Sequence, residues 1–179
     1  MWNCSSEIRC EAGTVPGSST QLQSAQMQPE RNRSISKTAI LPVPAARAFE
    51  ALTTPAEIIG FLPYDIVVSD ELAEGATITF SGTIGGKAFA DHGEVTQFDP
   101  PCTFAYRYWS DNHGAPNTSD RHHVIRYSFT PEANGTSKVA VEHAGLFSEE
   151  YFSAMLLAWD IVLEMLHSYL LARSEGVDH

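Results

Sequence analysis

Positive charge is scarce in this chain. Eleven Lys and Arg residues face 22 Asp and Glu, a formal net charge of -11 over 179 residues. The imbalance is local. Residues 1–33 set Glu7, Glu11 and Glu30 against Arg9, Arg31 and Arg33, so the whole excess lies downstream. A surface of that sign repels phosphate backbones and anionic headgroups, which argues against nucleic-acid or membrane-surface binding and favours solubility. Cysteine is also rare. Cys4, Cys10 and Cys102 form an odd set without repeated spacing, which argues against a disulfide framework or zinc site and fits a reducing compartment. The first residues lack the basic run and apolar stretch of a secretory leader, so the cytoplasm is the expected location. Uninterrupted apolar runs are missing too. The most apolar segment, residues 154–171, is broken by Asp160, Glu164 and His167, and reads as a core helix rather than a membrane span.

Chemistry-bearing motifs are equally sparse. Gly82, Gly85 and Gly86 belong to a hairpin rather than to a phosphate loop following a strand. No nucleophile elbow is present, and Ser153 and Ser168 sit on a helix with no local base. His122 and His123 are adjacent, so in a strand they point to opposite faces. A set of His92, His123 and His143 would need three strands to converge, with no close ligand pair to anchor it. Neither a metal nor a cofactor is expected.

What is present suffices for a core, since 43% of the residues are hydrophobic. Residues 1–33 are rich in Ser, Gln, Gly and Pro without hydrophobic period, and are expected to be disordered, with a short interaction motif as the alternative. Met27 is a possible natural start. The ordered unit is expected over 34–174, with 175–179 as a flexible tail. Residues 34–41 read as a strand stopped by Pro42 and Pro44. A helix over 45–52 and a second short one through Phe61 follow, the second begun by Thr54 as N-cap, Pro55 and Glu57. Six β runs come next, near 64–69, 76–81, 87–98, 103–109, 123–130 and 137–144, punctuated by Gly85-Gly86, Asp99-Pro100-Pro101 and Asn134-Gly135. Phe104, Tyr106 and Tyr108 alternate on one face, as do Ile125, Tyr127 and Phe129, then Val139, Val141 and His143. From about 149 to 173, Phe152, Met155, Trp159, Val162, Leu166 and Tyr169 recur in steps of three and four, widened by Leu156, Leu163 and Leu170. That predicts an amphipathic helix about 35 Å long.

Hairpins without intervening helices make an antiparallel sheet buried on one face, and only the last helix is long enough to cover it. The expected fold is α+β, a curved sheet gripping a long C-terminal helix. The space such a helix leaves is an apolar cavity, the usual form of a small-molecule site. Phe61, Tyr64, Phe80, Phe89, Tyr106, Tyr108, Ile125, Tyr127, His143, Met155 and Trp159 are the candidate ligand-binding residues; the alternative for each is plain core packing. His143 either orients a ligand or acts as acid or base, or is a core histidine satisfied by a carbonyl or a tyrosine hydroxyl. Arg107 and Arg126 either fork onto a ligand carboxylate or pair with Glu94 or Glu142 on the solvent face. For Asp91, His92 and Glu94 a bulge near Gly93 would decide which points inward.

Several stretches together resemble a known superfamily. They are residues 44–53 with Pro55, Gly60-Phe61-Leu62, His92-Gly93-Glu94-Val95, residues 98–101, Tyr127-Ser128-Phe129-Thr130-Pro131, Gly135-Thr136, residues 141–147 and Trp159. Their order and spacing are similar to the SRPBCC (START and birch-pollen-allergen-like) superfamily, in the branch related to the C-terminal domain of the activator of the heat-shock-protein-90 ATPase. The resemblance implies the helix-grip fold and a cytoplasmic, stress-response setting. It does not imply one activity, because the superfamily holds lipid binders, polyketide cyclases, hormone receptors and co-chaperone modules. Gly60-Phe61 stands where the family usually has an aromatic pair, a departure expected to enlarge or reshape the pocket mouth. The separate N-terminal domain of the eukaryotic activators is absent from this sequence, which puts chaperone activation in doubt. The leading expectation is non-catalytic binding of a small hydrophobic or amphipathic molecule. A cyclase- or dehydratase-like enzyme using His143 with Asp91 or Glu94 is the first alternative, and a protein-binding co-chaperone-like module the second.

Overall fold

A computed structural model describes residues 33–62, 65–68, 72–84, 86–113 and 116–175. The disorder expected for the N-terminal extension, Met27, Tyr64 and the last four residues therefore lie outside the described residues. Arg33 is the exception, because it opens the first strand rather than closing the extension.

β1 (Arg33–Leu41) leads through Pro42 and Pro44 into α1 (Ala45–Thr53) and α2 (Pro55–Phe61). Pro55 stands at the first position of α2, where its missing N–H costs nothing, and Thr54 is the N-cap residue, although its hydroxyl makes no capping bond. The remaining strands are β2 (Asp65–Val68), β3 (Thr77–Ile84), β4 (Lys87–Asp99), β5 (Thr103–Ser110), β6 (His123–Pro131) and β7 (Ser137–Leu146), followed by α3 (Glu149–Glu175). Asn134 at φ 60° and Gly135 at φ 75° turn β6 into β7, the left-handed conformation that Asn-Gly tolerates best. All neighbours are antiparallel, in the order β1-β7-β6-β5-β4-β3-β2. This is the curved-sheet, long-helix α+β architecture anticipated above.

The inward face follows strand parity. Phe104, Tyr106, Tyr108 and Ser110 of β5 are buried, as are His123, Ile125, Tyr127 and Phe129 of β6 and Val139, Val141 and His143 of β7. One register shift lies in β4, between Val95 and Gln97. The bulge is downstream of Gly93, so β4 keeps one parity through Asp91 and Val95, and Phe98 still turns inward beyond the extra residue. Phe98 meets Phe49 and Phe104 edge-on.

α3 lies closest to β1, β7 and α2, toward one side of the sheet. Trp159, Leu163, Leu166 and Leu170 are at most 7% exposed and form its core face. The opposite side is less polar than the periodicity suggests: Leu157 is 68% exposed, Ile161 58%, and Leu156 and Leu171 are exposed as well. By length and composition α3 could also cross a membrane, yet its buried face here belongs to the sheet core. Leu156, counted above in the apolar stripe, lies on the outer flank, because the first half of α3 turns Tyr151, Met155, Ala158 and Val162 toward the sheet instead.

Ion pairs fasten the helix at both ends. Arg33 reaches Glu149, and Lys37 Nζ binds both oxygens of Asp160 at 2.8 Å. At the far end Glu57 of α2 accepts from Arg47 at 2.6 Å, from the Tyr169 hydroxyl at 3.1 Å and from Arg173 at 3.5 Å. Burial alone would raise the Glu57 carboxyl, but the Arg47 and Tyr169 hydrogen bonds and the two guanidinium charges outweigh it and hold it below the usual carboxylate range. A lowered folded value means that the native state binds fewer protons than the unfolded chain. Its stability is then full above the unfolded value and lost as pH falls through the folded one. Glu57→Gln is expected to cost about 1–2 kcal/mol at pH 7 in urea titrations, with the gap to the parent closing toward pH 3. An equal gap at both pH values would assign the effect to shape rather than charge.

Candidate functional site

Because α3 leans toward β1 and β7, the inner face of β3, β4 and β5 stays open beneath its first half. A cavity of about 240 Å³ results. Its wall comes from β3 (Phe80), β4 (Phe89, Asp91), β5 (Tyr106, Tyr108, Ser110), β6 (Ile125, Tyr127), the loop residues Leu62 and Asn112, and α3 (Tyr151, Met155, Ala158, Trp159, Val162). A smaller void of about 40 Å³, under α1 and α2, shares Leu62, Phe80, Tyr106 and Tyr127 with it.

The rings are tightly coupled. Tyr106 packs against Phe80 and Phe104 with centroids 5.5 Å away in each case, and Trp159 stands edge-on to Tyr127 at 5.9 Å. Burial pushes the Tyr106, Tyr108 and Tyr127 hydroxyls far above the ordinary phenol range, and a hydrogen bond links those of Tyr106 and Tyr127. They are therefore neutral donors and acceptors at physiological pH. Asp91 is the one carboxylate in the wall. Its own burial, against a hydrogen bond from the Ser110 hydroxyl, raises it above the ordinary aspartate value, and the nearby Asp111 charge adds to the rise.

Behind this wall is a buried polar cluster. The Trp159 indole N–H donates to His143 Nδ1 at 3.1 Å, so that nitrogen carries a lone pair and the imidazole proton is on Nε2. Nε2 lies 3.1 Å from His123 Nδ1 and 3.3 Å from the Tyr108 hydroxyl, which in turn meets the Tyr151 hydroxyl at 3.1 Å. His123 and His143 are each 1% exposed. A neutral chain of hydrogen bonds thus runs from Tyr151, at the cavity, to the two histidines under the β6–β7 pair.

Phe80, Phe89, Tyr106, Tyr108, Ile125, Tyr127, Met155 and Trp159 meet in one wall, where the sequence reading grouped them. Phe61 does not join them. α2 turns it toward α3, and its ring lies 5.6 Å from that of Tyr169. His143 faces inward but is not in the wall; it supports Tyr108 and Trp159 from behind. Gly60 does not widen the mouth either, because the Tyr169 ring has taken the space: a Cβ on Gly60 would lie 2.7 Å from Tyr169 Cε2. Glu94 points outward and pairs with Arg107 at 2.7 Å, which leaves Asp91 as the inward carboxylate of that group. His92 is exposed and stacks with Trp109. Among the described residues no group of three His, Cys, Asp or Glu side chains is arranged to hold a metal.

Sequence reasoning weighed His123 only as a metal ligand and overlooked Ser110 and Tyr151. The first two share parity with residues already placed inward, so alternation alone could have found them. Tyr151 is set by the start of α3 and had no such signal. Trp159→Phe removes the donor to His143 Nδ1 while keeping a ring, and is expected to lower unfolding free energy by about 1–3 kcal/mol in urea titrations. A loss below about 0.5 kcal/mol would show that the buried acceptor needs no indole.

A family model described as activator of Hsp90 ATPase homolog 1-like protein matches residues 42–171. No curated protein matches the chain. Among solved structures the chain is similar to ChR145 from Cytophaga hutchinsonii, with a TM-score of 0.67 and 23% identity over 80% of this chain and 97% of that one. Ara h 8.0201 aligns with a TM-score of 0.63 and 15% identity over 79% of this chain and 99% of that one. DynU16, from the dynemicin biosynthetic locus, aligns with a TM-score of 0.61 and 16% identity over 76% of this chain but 46% of its own. At such identities these likenesses concern the fold. The match over residues 42–171, on a seven-stranded sheet closed by one long helix, makes the chain a member of the activator of Hsp90 ATPase homolog 1-like family within the SRPBCC superfamily.

Proposed function

We propose that this fold binds a small, largely apolar molecule in the cavity between the sheet and α3, without converting it. The observation that carries the reading is the cavity of about 240 Å³ walled by aromatic and aliphatic side chains with a few polar groups. An apolar void of roughly 150 Å³ already holds benzene, so this one suits a compact bicyclic molecule. Hydroxyls of Tyr106, Tyr108, Tyr127 and Tyr151 supply orientation without charge. The DynU16 neighbour, from a biosynthetic locus, is consistent with small-molecule work for this architecture.

The cyclase- or dehydratase-like alternative fares less well. Its base, His143, has both ring nitrogens engaged and sits behind the wall, and its second carboxylate, Glu94, faces solvent. The family description favours a second reading, binding of a basic partner protein by the acidic surface; such association would weaken steeply with added salt.

Ala158 lines the cavity from α3, so Ala158→Phe fills it. Native mass spectrometry after mild purification, with thermal shifts against aromatic polyketides, sterols and fatty acids, should find a ligand on the parent. The variant should stay folded and lose it by at least about tenfold in affinity. A parent that carries nothing and shifts with nothing ends the binding proposal.

A further inference from the structure

We propose that the cavity selects an apolar molecule bearing a protonated amine, with the ammonium seated against Asp91. The inference rests on the ligand-binding reading and specifies the ligand class. Asp91 Oδ1 is buried and makes no hydrogen bond to the described residues, while the Ser110 hydroxyl bonds to the same side chain. Left so, a buried acceptor is an uncompensated cost that a donor from a ligand removes.

Three further observations decide which donor fits. Among the described residues no Lys, Arg or His lines the cavity, so the charge of Asp91 meets no cation from that part of the wall. Two charges outside the wall act on Asp91: His92, next to it on β4 but turned to the solvent face, favours the ionised form, and Asp111, after β5, opposes it. Rings line the site beside it, Phe89 from β4, Tyr106 and Tyr108 from β5 and Tyr151 from α3, and the Asn112 side chain there is neutral. A carboxylate beside aromatic rings, with no cation among the described residues of the wall, suits an ammonium twice over, by charge-assisted hydrogen bonding and by attraction to the ring quadrupoles. A hydroxyl would satisfy Oδ1 but leave the charge unbalanced. A ligand carboxylate would place a further negative group beside Asp91 and Asp111, so fatty acids are the wrong class.

Burial raises the Asp91 carboxyl above its ordinary value, so in the empty protein the native state binds that proton more tightly than the unfolded chain. The sign is then unfavourable: stability falls as pH rises through the raised value, and ionised Asp91 weakens the empty fold at neutral pH.

Calorimetric titration of the full chain at pH 7 with 2-naphthylmethylamine, 2-naphthylmethanol and 2-naphthoate tests the assignment without any substitution. The amine should bind at least about tenfold more tightly than the alcohol, with the carboxylate weakest. In Asp91→Asn the amine should drop to the affinity of the alcohol, the alcohol should change by less than about threefold, and the empty variant should melt at a higher temperature than the parent. Ala158→Phe should abolish binding of all three. An amine no tighter than the alcohol, or a carboxylate that binds best, overturns the amine assignment and leaves the binding proposal standing. Failure of all three to bind the parent overturns both.

Discussion

One helix cannot cover a seven-stranded sheet. Strands spaced about 4.8 Å apart make the sheet roughly 29 Å wide, whereas a helix with its side chains is about 10–12 Å across. α3 sits toward β1 and β7, α1 and α2 pack at another part of the concave face, and the inner side of β3 to β5 is left with a gap beneath the first half of α3. The cavity follows from that mismatch. Its lining is aromatic because long side chains are needed to reach across the uncovered span, and Phe80, Tyr106, Tyr108 and Trp159 do so.

Spanning rings bring polar atoms into the interior, and the fold accommodates them by pairing them with one another. The Trp159 indole goes to His143, His143 to His123 or Tyr108, Tyr108 to Tyr151, and Tyr106 to Tyr127. Neutral groups pair at far lower desolvation cost than charges would. Asp91 departs from this pattern inside the cavity, since one of its oxygens has no partner among the described residues. Local rules are most often violated where a site serves something outside the chain.

Much of the sheet was legible in advance, because alternation in β5, β6 and β7 is a direct image of one buried face. The same rule placed Tyr106, Tyr108, Ile125 and Tyr127 in a common wall, and the three-and-four step of α3 added Met155 and Trp159. Phe61 was misplaced because a short helix has two usable faces, and nothing in residues 55–61 says whether α2 turns its ring to the cavity or to Tyr169. The role of Gly60 was misread for a related reason. A missing side chain looks like open space until the residue that fills it is known, and Tyr169 is more than a hundred positions away in the chain. The depth of His143 was unreadable for a third reason: parity gives direction, not which neighbours stand in front.

The leucines and isoleucine on the outer side of α3 bear on how the helix finds its setting. With Leu157 and Ile161 outside and Leu163 and Leu166 inside, oiliness distinguishes poorly between one rotation about the helix axis and another. Discrimination passes to directional contacts: the indole proton of Trp159 aimed at one imidazole, Lys37 gripping Asp160, and the Tyr169 hydroxyl resting on Glu57. These act as an angular key. Apolar attraction brings the rod to the sheet, and a few polar atoms choose which of its sides looks down.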